Sequence, residues 1–125
     1  MTLGSGAQTW GEELFMEPFP DWMKDSVPEV DTPFTGLEGR LLASPHGQAV
    51  FFSAAEEFEV PPHAHGAQWG IVVTGRLHLT VDGEAGIYEP GDTYEIPPGA
   101  EHSARFEAGT SVIDVFQDPD RYAPK

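Results

Sequence analysis

The sequence contains no cysteine among its 125 residues, and basic residues are scarce. The absence of cysteine excludes disulfides, thiol nucleophiles, thiolate metal sites and iron–sulfur clusters. Six lysines and arginines stand against 21 acidic residues, which gives a formal net charge of −15. A chain of this charge repels phosphate backbones and anionic head groups, so we expect neither nucleic-acid nor membrane partners. Binding of a small anion would then require a local positive charge, such as that of a metal ion.

Long hydrophobic runs are also missing, and the apolar runs present are far too short to span a bilayer. The first residues lack the basic region followed by an apolar stretch that is typical of a secretory signal. We therefore expect a cytoplasmic protein, and the length favours one domain.

Glycine and proline are abundant, with 14 and 12 residues, and they interrupt the chain often. Frequent interruption favours many short strands over long helices, so the predicted class is all-β, a sandwich or a barrel. Asp82-Gly83 is a strong tight-turn signal, and the segments on either side of Gly75 are expected to form a hairpin-like pair. The predicted strands are residues 37–44, 48–54, 57–60, 68–74, 76–82, 84–89, 93–96, 102–107 and 110–117.

The first 35 residues have a different texture, in which aromatic residues alternate with prolines. Prolines break any long helix, so we expect only short helical turns at 11–16 and 20–26, the second capped by Asp21. Disordered linkers are poor in aromatics, which favours an arm that packs on the main body or on a partner subunit. Such an arm predicts a homodimer. The expected organisation is an arm at residues 1–35, a β-barrel at 36–118 and a C-terminal tail at 119–125.

Three of the five histidines are placed where they can meet. His63 and His65 are two residues apart, so in an extended segment both side chains project to the same face. Gln68 begins the next predicted strand with an oxygen that can also coordinate, and His102 follows a Pro-Pro-Gly turn. Three neutral imidazoles and one amide oxygen are a suitable ligand set for a divalent transition metal.

The spacing around His102 carries a family resemblance. Gly91 is followed by five residues, Pro97-x-Gly99, two residues and His102, which matches the second motif of the cupin superfamily. The His63-x-His65 segment is similar to the first cupin motif, although that motif's leading glycine is missing here. The resemblance covers about residues 40–117. It implies a double-stranded β-helix, or jelly-roll barrel, with a metal ion inside one mouth.

The fourth ligand position of the first motif departs from the usual cupin pattern. It follows His65 after only two residues and holds Gln68 where the family pattern has glutamate. An amide ligand leaves the double positive charge of the metal ion uncompensated. Such a centre favours anionic groups, for example the carboxylate or enediolate of a substrate.

The last predicted strand offers a candidate acid or base. Val112, Asp114 and Phe116 share one face, and Ile113 and Val115 share the other. If the first face lines the barrel, the carboxyl of Asp114 lies in apolar company, which raises its pKa and suits proton transfer near neutral pH. If the second face is inside, Asp114 is solvated.

The end of the chain is similar to one branch of the cupins, those of pectin degradation that open the ring of unsaturated uronates. The string from Val112 to Phe116 is followed by Pro119, Arg121 and Tyr122, as in that branch. The resemblance implies metal ligands at His63, His65, Gln68 and His102, and catalytic residues at Asp114, Phe116 and Arg121. Further candidates for the cavity wall are Trp69, Arg76, Tyr94, Arg105 and Phe106.

These observations favour a metal-dependent enzyme acting on a small anionic molecule. Isomerase, lyase or ring-opening chemistry on a sugar acid such as an unsaturated uronate suits a redox-inert ion. The ligands alone leave zinc, nickel, manganese and iron open. An iron-dependent dioxygenase is therefore the second hypothesis, and a non-catalytic cupin that binds a metal or a small molecule is the third.

Overall fold

The computed structural model describes residues 17–125, and eleven strands and one short helix lie in that part of the chain. The helical turn predicted at 11–16 lies outside the described residues. The elements are α1 (Asp21–Ser26), β1 (Val30–Asp31), β2 (Leu37–Ser44), β3 (Gly47–Ala54), β4 (Phe58–His63), β5 (Gln68–Thr74), β6 (Leu77–Val81), β7 (Glu84–Tyr88), β8 (Thr93–Ile96), β9 (His102–Phe106), β10 (Thr110–Phe116) and β11 (Ala123–Pro124).

The strands form two antiparallel sheets that enclose the hydrophobic core. The larger sheet has the order β2-β3-β10-β5-β8, and the smaller sheet has the order β4-β9-β6-β7. A separate two-stranded ribbon joins β1 to β11. This arrangement is a jelly-roll β-barrel, so the predicted all-β double-stranded β-helix is confirmed. No helix among residues 17–125 is long and apolar enough to cross a membrane.

The inner face of the larger sheet is set by the alternation of side chains along β10. Val112, Asp114 and Phe116 are buried, whereas Ile113 is only half-buried and Val115 is exposed. The first of the two alternatives left open by the sequence is therefore the one observed. Asp114 points into the barrel among apolar side chains, so a carboxyl group stands inside the core.

The hairpin-like pairing predicted around Gly75 is wrong, because β5 and β6 lie in different sheets. β5 pairs with β10 and β8, whereas β6 pairs with β7 and β9. Gly75 has a φ of +80°, and a Cβ there would overlap the side chain and backbone of Thr110. Glycine permits this sharp crossing between the sheets. The tight turn at Asp82-Gly83 is confirmed, since it joins the paired strands β6 and β7.

The strand β4 is longer than predicted, because it continues through Pro61 and Pro62 to His63. β4 is an edge strand of the smaller sheet, and its pairing with β9 is irregular between Val60 and His63. Prolines are tolerated at edges and bulges, where no ladder hydrogen bond is lost. The extension brings His63 opposite His102 in the register.

The helix α1 is observed near the predicted position, but Asp21 does not cap it. Pro20 occupies the N-cap position and no side chain caps the helix. Asp21 is the first helical residue, where its negative charge is favourable near the helix N-terminus. Before the helix, the ring of Phe19 packs edge-on against Phe51 of β3, with centroids 5.5 Å apart.

Candidate metal centre and its cavity

A cavity of about 290 Å³ lies between the two sheets and is lined mainly by apolar side chains. All seven residues named from the family resemblance line this cavity, and Tyr94 lines it as well. The lining residues that carry a polar group are His63, His65, Gln68, Tyr94, His102, Asp114, Arg121 and Tyr122. Phe116 adds an aromatic wall.

The three predicted histidines are brought together. Their ring centroids are 5.2 Å apart for His63 and His65, 4.2 Å for His63 and His102, and 4.7 Å for His65 and His102. One ring nitrogen from each lies within 4.8 Å of the others. Two of the rings come from facing positions of β4 and β9, and the third comes from the loop after β4.

Each imidazole is anchored through its Nδ1 atom to a nearby backbone carbonyl. The Nδ1 atoms of His63, His65 and His102 lie 2.9, 2.8 and 3.0 Å from the carbonyl oxygens of residues 61, 66 and 100. Because a carbonyl oxygen only accepts, each Nδ1 carries the proton, and the lone pair of the neutral ring is on Nε2. Metal-binding histidines are commonly oriented by such a bond from the other nitrogen.

The Nε2 atoms provide the test of whether a metal ion fits. Among residues 17–125, Nε2 of His65 and Nε2 of His102 are buried without a hydrogen-bond partner. Buried polar atoms rarely lack a partner, and a cation beside these lone pairs would supply one. Burial also lowers the pKa of both rings, while their bonds to backbone carbonyls oppose this effect. The rings are thus held in the neutral form that binds metals, so the donor set fits a divalent transition metal.

Gln68, the fourth predicted ligand, is buried at the start of β5 and lines the same cavity. Its side chain makes a hydrogen bond that favours the ionised form of Asp114. An amide that donates its N–H to a carboxylate keeps its oxygen available as an acceptor or ligand. Gln68 therefore shares the cavity with the histidine cluster and acts on the carboxyl of Asp114.

Asp114 is buried and accepts a hydrogen bond of 2.5 Å at Oδ1 from the hydroxyl of Tyr94. Burial raises the pKa of Asp114 to about 6, although the hydrogen bonds from Tyr94 and Gln68 act in the opposite direction. Burial and the neighbouring carboxylate raise the pKa of Tyr94 well above its usual value. A carboxyl group that titrates near neutral pH is suited to giving and taking protons.

Gly70 leaves the space in which Tyr94 contacts Asp114, and it is not among the site residues predicted from the sequence. Gly70 of β5 lies between the two residues in the register, paired with Asp114 on one side and Tyr94 on the other. A Cβ at Gly70 would overlap both the Tyr94 ring and Oδ1 of Asp114. A glycine inside a strand pattern often marks such a close approach, and that signal was present in the sequence.

Arg121 and Phe116 complete the side of the cavity near His65. The ring of Phe116 lies 5.5 Å from the His65 ring, centroid to centroid. The guanidinium carbon of Arg121 lies 4.5 Å from the Tyr122 ring centroid and 5.8 Å from that of Phe116. Cation–π contacts of this length hold an arginine against an aromatic wall. The structure thus places a fixed positive charge at the cavity.

The five further candidates for the cavity wall divide into two groups. Tyr94 and Phe106 line the cavity, but Trp69, Arg76 and Arg105 do not. Trp69 is on the outer face of the larger sheet and is 43% exposed. Arg76 and Arg105 instead make surface ion pairs with glutamates. The alternation of side chains explains this outcome, since Leu77 and Phe106, the neighbours of the two arginines, occupy the inner face.

Comparison with known proteins gives the family. The Cupin domain family matches residues 49–116, more than half of the chain. An RmlC-like cupin from Shewanella frigidimarina NCIMB 400 is 32% identical over 75% of this chain and 86% of its own, with a TM-score of 0.66. The chain therefore belongs to the cupin family. None of the curated protein sequences matches it significantly.

Two further solved structures are similar to this chain. KdgF from Halomonas sp. is 28% identical over 74% of this chain and 86% of its own, with a TM-score of 0.65. The likeness to the pectin-degradation cupins found in the sequence is thus confirmed. A deletion mutant of the oxalate decarboxylase OxdC from Bacillus subtilis is 20% identical over 79% of this chain but only 29% of its own, with a TM-score of 0.65. This last match reflects a shared fold alone.

Proposed function

We propose that this cupin is a metal-dependent enzyme acting on a small anionic molecule. The observation that carries the proposal is the convergence of three Nδ1-anchored imidazoles on a cavity that also contains the buried carboxyl of Asp114. A metal site and a proton-transfer group in one cavity are the two requirements of Lewis-acid catalysis with acid–base assistance. Zinc, nickel, manganese and iron all suit the donor set.

The roles of the residues follow from their positions. His63, His65, His102 and Gln68 would hold the metal ion, which when bound polarises a carbonyl or carboxylate oxygen. Asp114 moves a proton at its carboxylate, and the hydroxyl of Tyr94 fixes one of its two oxygens.

Arg121 attracts the anionic group of the substrate, because a guanidinium is a strong partner for carboxylates. Phe116 keeps water away from the side of the cavity near His65. Together with Asp114, these two residues make up the catalytic set that the resemblance to the pectin-degradation cupins implies.

The substrate we propose is a sugar acid such as an unsaturated uronate, with ring opening, isomerisation or lyase chemistry as the reaction. The resemblance to the uronate ring-opening cupins supports this choice, as does the similarity to KdgF from Halomonas sp.. The charge of the site adds a physical reason. Neutral ligands would leave the charge of a bound divalent ion uncompensated, and Arg121 adds a further positive charge, inside a chain whose net charge is −15.

The test is turnover of an unsaturated uronate by metal-loaded protein, followed through its ultraviolet absorbance. Asp114→Asn is expected to lower kcat by about 10²- to 10⁴-fold, the usual contribution of general acid–base catalysis, while metal binding persists. His46→Ala, in an exposed turn, is the control and should leave turnover unchanged. Full activity of Asp114→Asn would contradict the proposed role of Asp114. Binding of uronates without turnover by the wild type would support a non-catalytic cupin.

An iron-dependent dioxygenase remains the second candidate, because the cavity wall is mainly apolar. An apolar wall suits an aromatic substrate better than a polyhydroxylated one. Oxygen uptake by iron-loaded protein with catechols or thiols would favour this candidate. A metal analysis of protein purified without added metal distinguishes iron from the other ions.

We also propose that residues 17–35 form an arm on the barrel and that the protein is a homodimer. The rest of the predicted arm, residues 1–16, lies outside the described residues. The packing of Phe19 on Phe51 supports the arm. Leu42, Val115 and Trp69 support the dimer, because they lie on one register row across the outer face of the larger sheet and are 50%, 42% and 43% exposed. Clustered apolar side chains of this kind mark association surfaces. A monomer in analytical ultracentrifugation at micromolar concentration would contradict the dimer.

A further inference from the structure

The segment after β10, here called the C-terminal strap (residues 117–122), contacts the loop that carries one proposed metal ligand, His65. This ligand loop (residues 64–67) joins β4 to β5 and contains His65. The backbone N–H of Gly66 donates to Oδ2 of Asp118 at 2.9 Å. The two segments are also joined through Ala67, whose N–H donates to Oε1 of Gln117 and whose carbonyl accepts from the Gln117 N–H, at 3.1 and 2.9 Å.

The hydrogen bonds form a continuous path from Asp118 to a metal ligand. Asp118 holds the N–H of Gly66, and the carbonyl of the same Gly66 accepts the bond from Nδ1 of His65. That second bond sets the tautomer and the orientation of the His65 ring. Fixing the backbone of Gly66 therefore fixes the direction of the Nε2 lone pair of His65.

Gly66 provides independent support for this contact. A Cβ at position 66 would overlap Oδ1 of Asp118. The φ of Gly66 does not lie in the left-handed region, so the conformation of the backbone does not demand glycine there. The need for glycine is the close approach of the carboxylate, which means that Gly66 and Asp118 are matched to each other.

The strap is also held by hydrogen bonds to the start of β3. The side-chain amide of Gln48, buried at the start of β3, donates to the carbonyls of Pro119 and Tyr122 at 2.9 and 2.8 Å. Its oxygen accepts from the N–H of Tyr122 at 3.0 Å. These three bonds flank Arg121, whose guanidinium faces the cavity wall. One segment therefore determines the position of both the ligand loop and the positive charge.

We propose that Asp118 is a positioning residue of the metal centre and that the strap couples metal binding to the placement of Arg121. The proposal rests on the metal site proposed above. Asp118 contacts no metal ligand atom and acts only through the backbone of Gly66. Because coupling between two sites is reciprocal, metal binding at His65 stabilises the strap to the same extent that the strap strengthens metal binding.

The first experiment measures the Kd of Zn²⁺ by competition with a chromophoric chelator, without any substrate. Asp118→Ala is expected to raise the Kd about 10- to 100-fold, the usual effect of removing a group that orients a ligand. Asp118→Asn keeps an acceptor oxygen and should have a smaller effect in the same direction. The matched control is Asp120→Ala, which removes the same charge from an exposed position in the strap and should bind like the wild type.

A double-mutant cycle separates positioning from a general structural role. Gly66→Ala should displace the carboxylate and weaken Zn²⁺ binding by itself. Its effect should largely disappear when Asp118 is already alanine, because the two changes break one contact. Additive effects would overturn the proposal. If Asp118→Ala fails to fold, Asp118→Asn and the Gly66→Ala variant carry the measurement.

The second experiment follows backbone amide hydrogen exchange in the strap, at residues 117, 118 and 120–122, with and without Zn²⁺; Pro119 has no amide hydrogen. Exchange in the wild type should slow when the metal is added, and this protection should be lost in Asp118→Ala but kept in Asp120→Ala. Wild-type affinity in Asp118→Ala, or a strap whose exchange ignores the metal, would overturn the coupling alone. Absence of Zn²⁺ binding by the wild type would instead overturn the metal site itself, so the two failures are distinguishable.

Discussion

The two sheets of the barrel contribute different chemistry to the same cavity. The smaller sheet supplies nitrogen donors, His63 on β4 and His102 on β9, which face each other in the register. The larger sheet supplies oxygen-bearing groups, Gln68, Tyr94 and Asp114, on three adjacent strands. Burial acts on both walls but in opposite directions, since it lowers the pKa of His102 and raises that of Asp114.

Because burial shifts the pKa values on the two sheets in opposite directions, one apolar cavity can provide both a protonatable carboxyl group and neutral metal ligands. Desolvation penalises whichever form is charged. It therefore keeps the imidazole of His102 neutral on the smaller sheet and keeps a proton available to the carboxyl of Asp114 on the larger sheet. A substrate that lies between the sheets can contact both walls.

The largest effect is expected when an imidazole ring is removed from the smaller sheet. His102→Ala is expected to weaken Zn²⁺ binding by at least about 100-fold. At a Zn²⁺ concentration that stabilises the wild type by about 2.7 kcal/mol, the variant should gain less than about 0.5 kcal/mol. The measurement is thermal unfolding with and without the ion.

His78→Ala is the matched control for the removal of His102. His78 lies on the same sheet, but its ring is bonded at 2.6 Å to Glu107 and does not line the cavity. This variant should retain the full stabilisation by Zn²⁺. Equal losses in both variants would mean that the ion binds histidines in general and not this cluster.

A second effect is expected on the larger sheet, in metal-free protein. The pKa of Asp114 is about 6 when folded, against 3.8 for an ordinary aspartate. The unfolded chain therefore ionises first as pH rises, and the folded state loses relative stability between about pH 4 and 6. Asp114→Asn removes this cost and should be more stable than the wild type above pH 7, by about 3 kcal/mol.

The sign of this effect is checked by urea unfolding of both proteins in the presence of a chelator. The stability difference should be small near pH 3, grow between about pH 4 and 6 and then stay constant. Because every other titrating group is present in both proteins, their contributions cancel in the difference. A difference that is independent of pH would show that Asp114 has an ordinary pKa.

The smallest effect is expected on the outer faces. Arg105 of β9 reaches Glu57 at 3.3 Å in an ion pair whose side chains are both exposed. Exposed pairs contribute little, so Arg105→Ala should change the unfolding free energy by less than about 1 kcal/mol and leave Zn²⁺ binding unchanged. Chemical unfolding at low and high salt provides the measurement. A large loss of metal affinity would contradict the division between inner and outer faces.

The local structure was well predicted from the sequence because turn residues bound nearly every strand. The bounds of β2, β5 and β8 agree with the predicted segments 37–44, 68–74 and 93–96. The spacing around His63, His65 and His102 also predicted the convergence of the rings. Motifs of this kind constrain distance along the chain and, through a known family resemblance, distance in space.

The features that were missed depend on which strands become neighbours. Asp114, Gly70 and Tyr94 lie side by side only because β5 stands between β10 and β8. The same holds for Gly66 and Asp118, which are 52 positions apart. Strand alternation indicates the face of a residue but not its partner across the sheet, so no local pattern predicts these pairs. The hairpin expected around Gly75 was wrong for the same reason.

The hydrogen bonds that anchor the imidazoles join residues that are close together in the chain. Each Nδ1 atom is held by a carbonyl no more than two positions away in the chain, so ring orientation is encoded by the adjacent backbone. The apolar residues elsewhere in the cavity take no part in these bonds. Substitutions among them can therefore reshape what the cavity accepts while the coordination chemistry is inherited intact, which makes the barrel a suitable starting point for redesigning substrate preference.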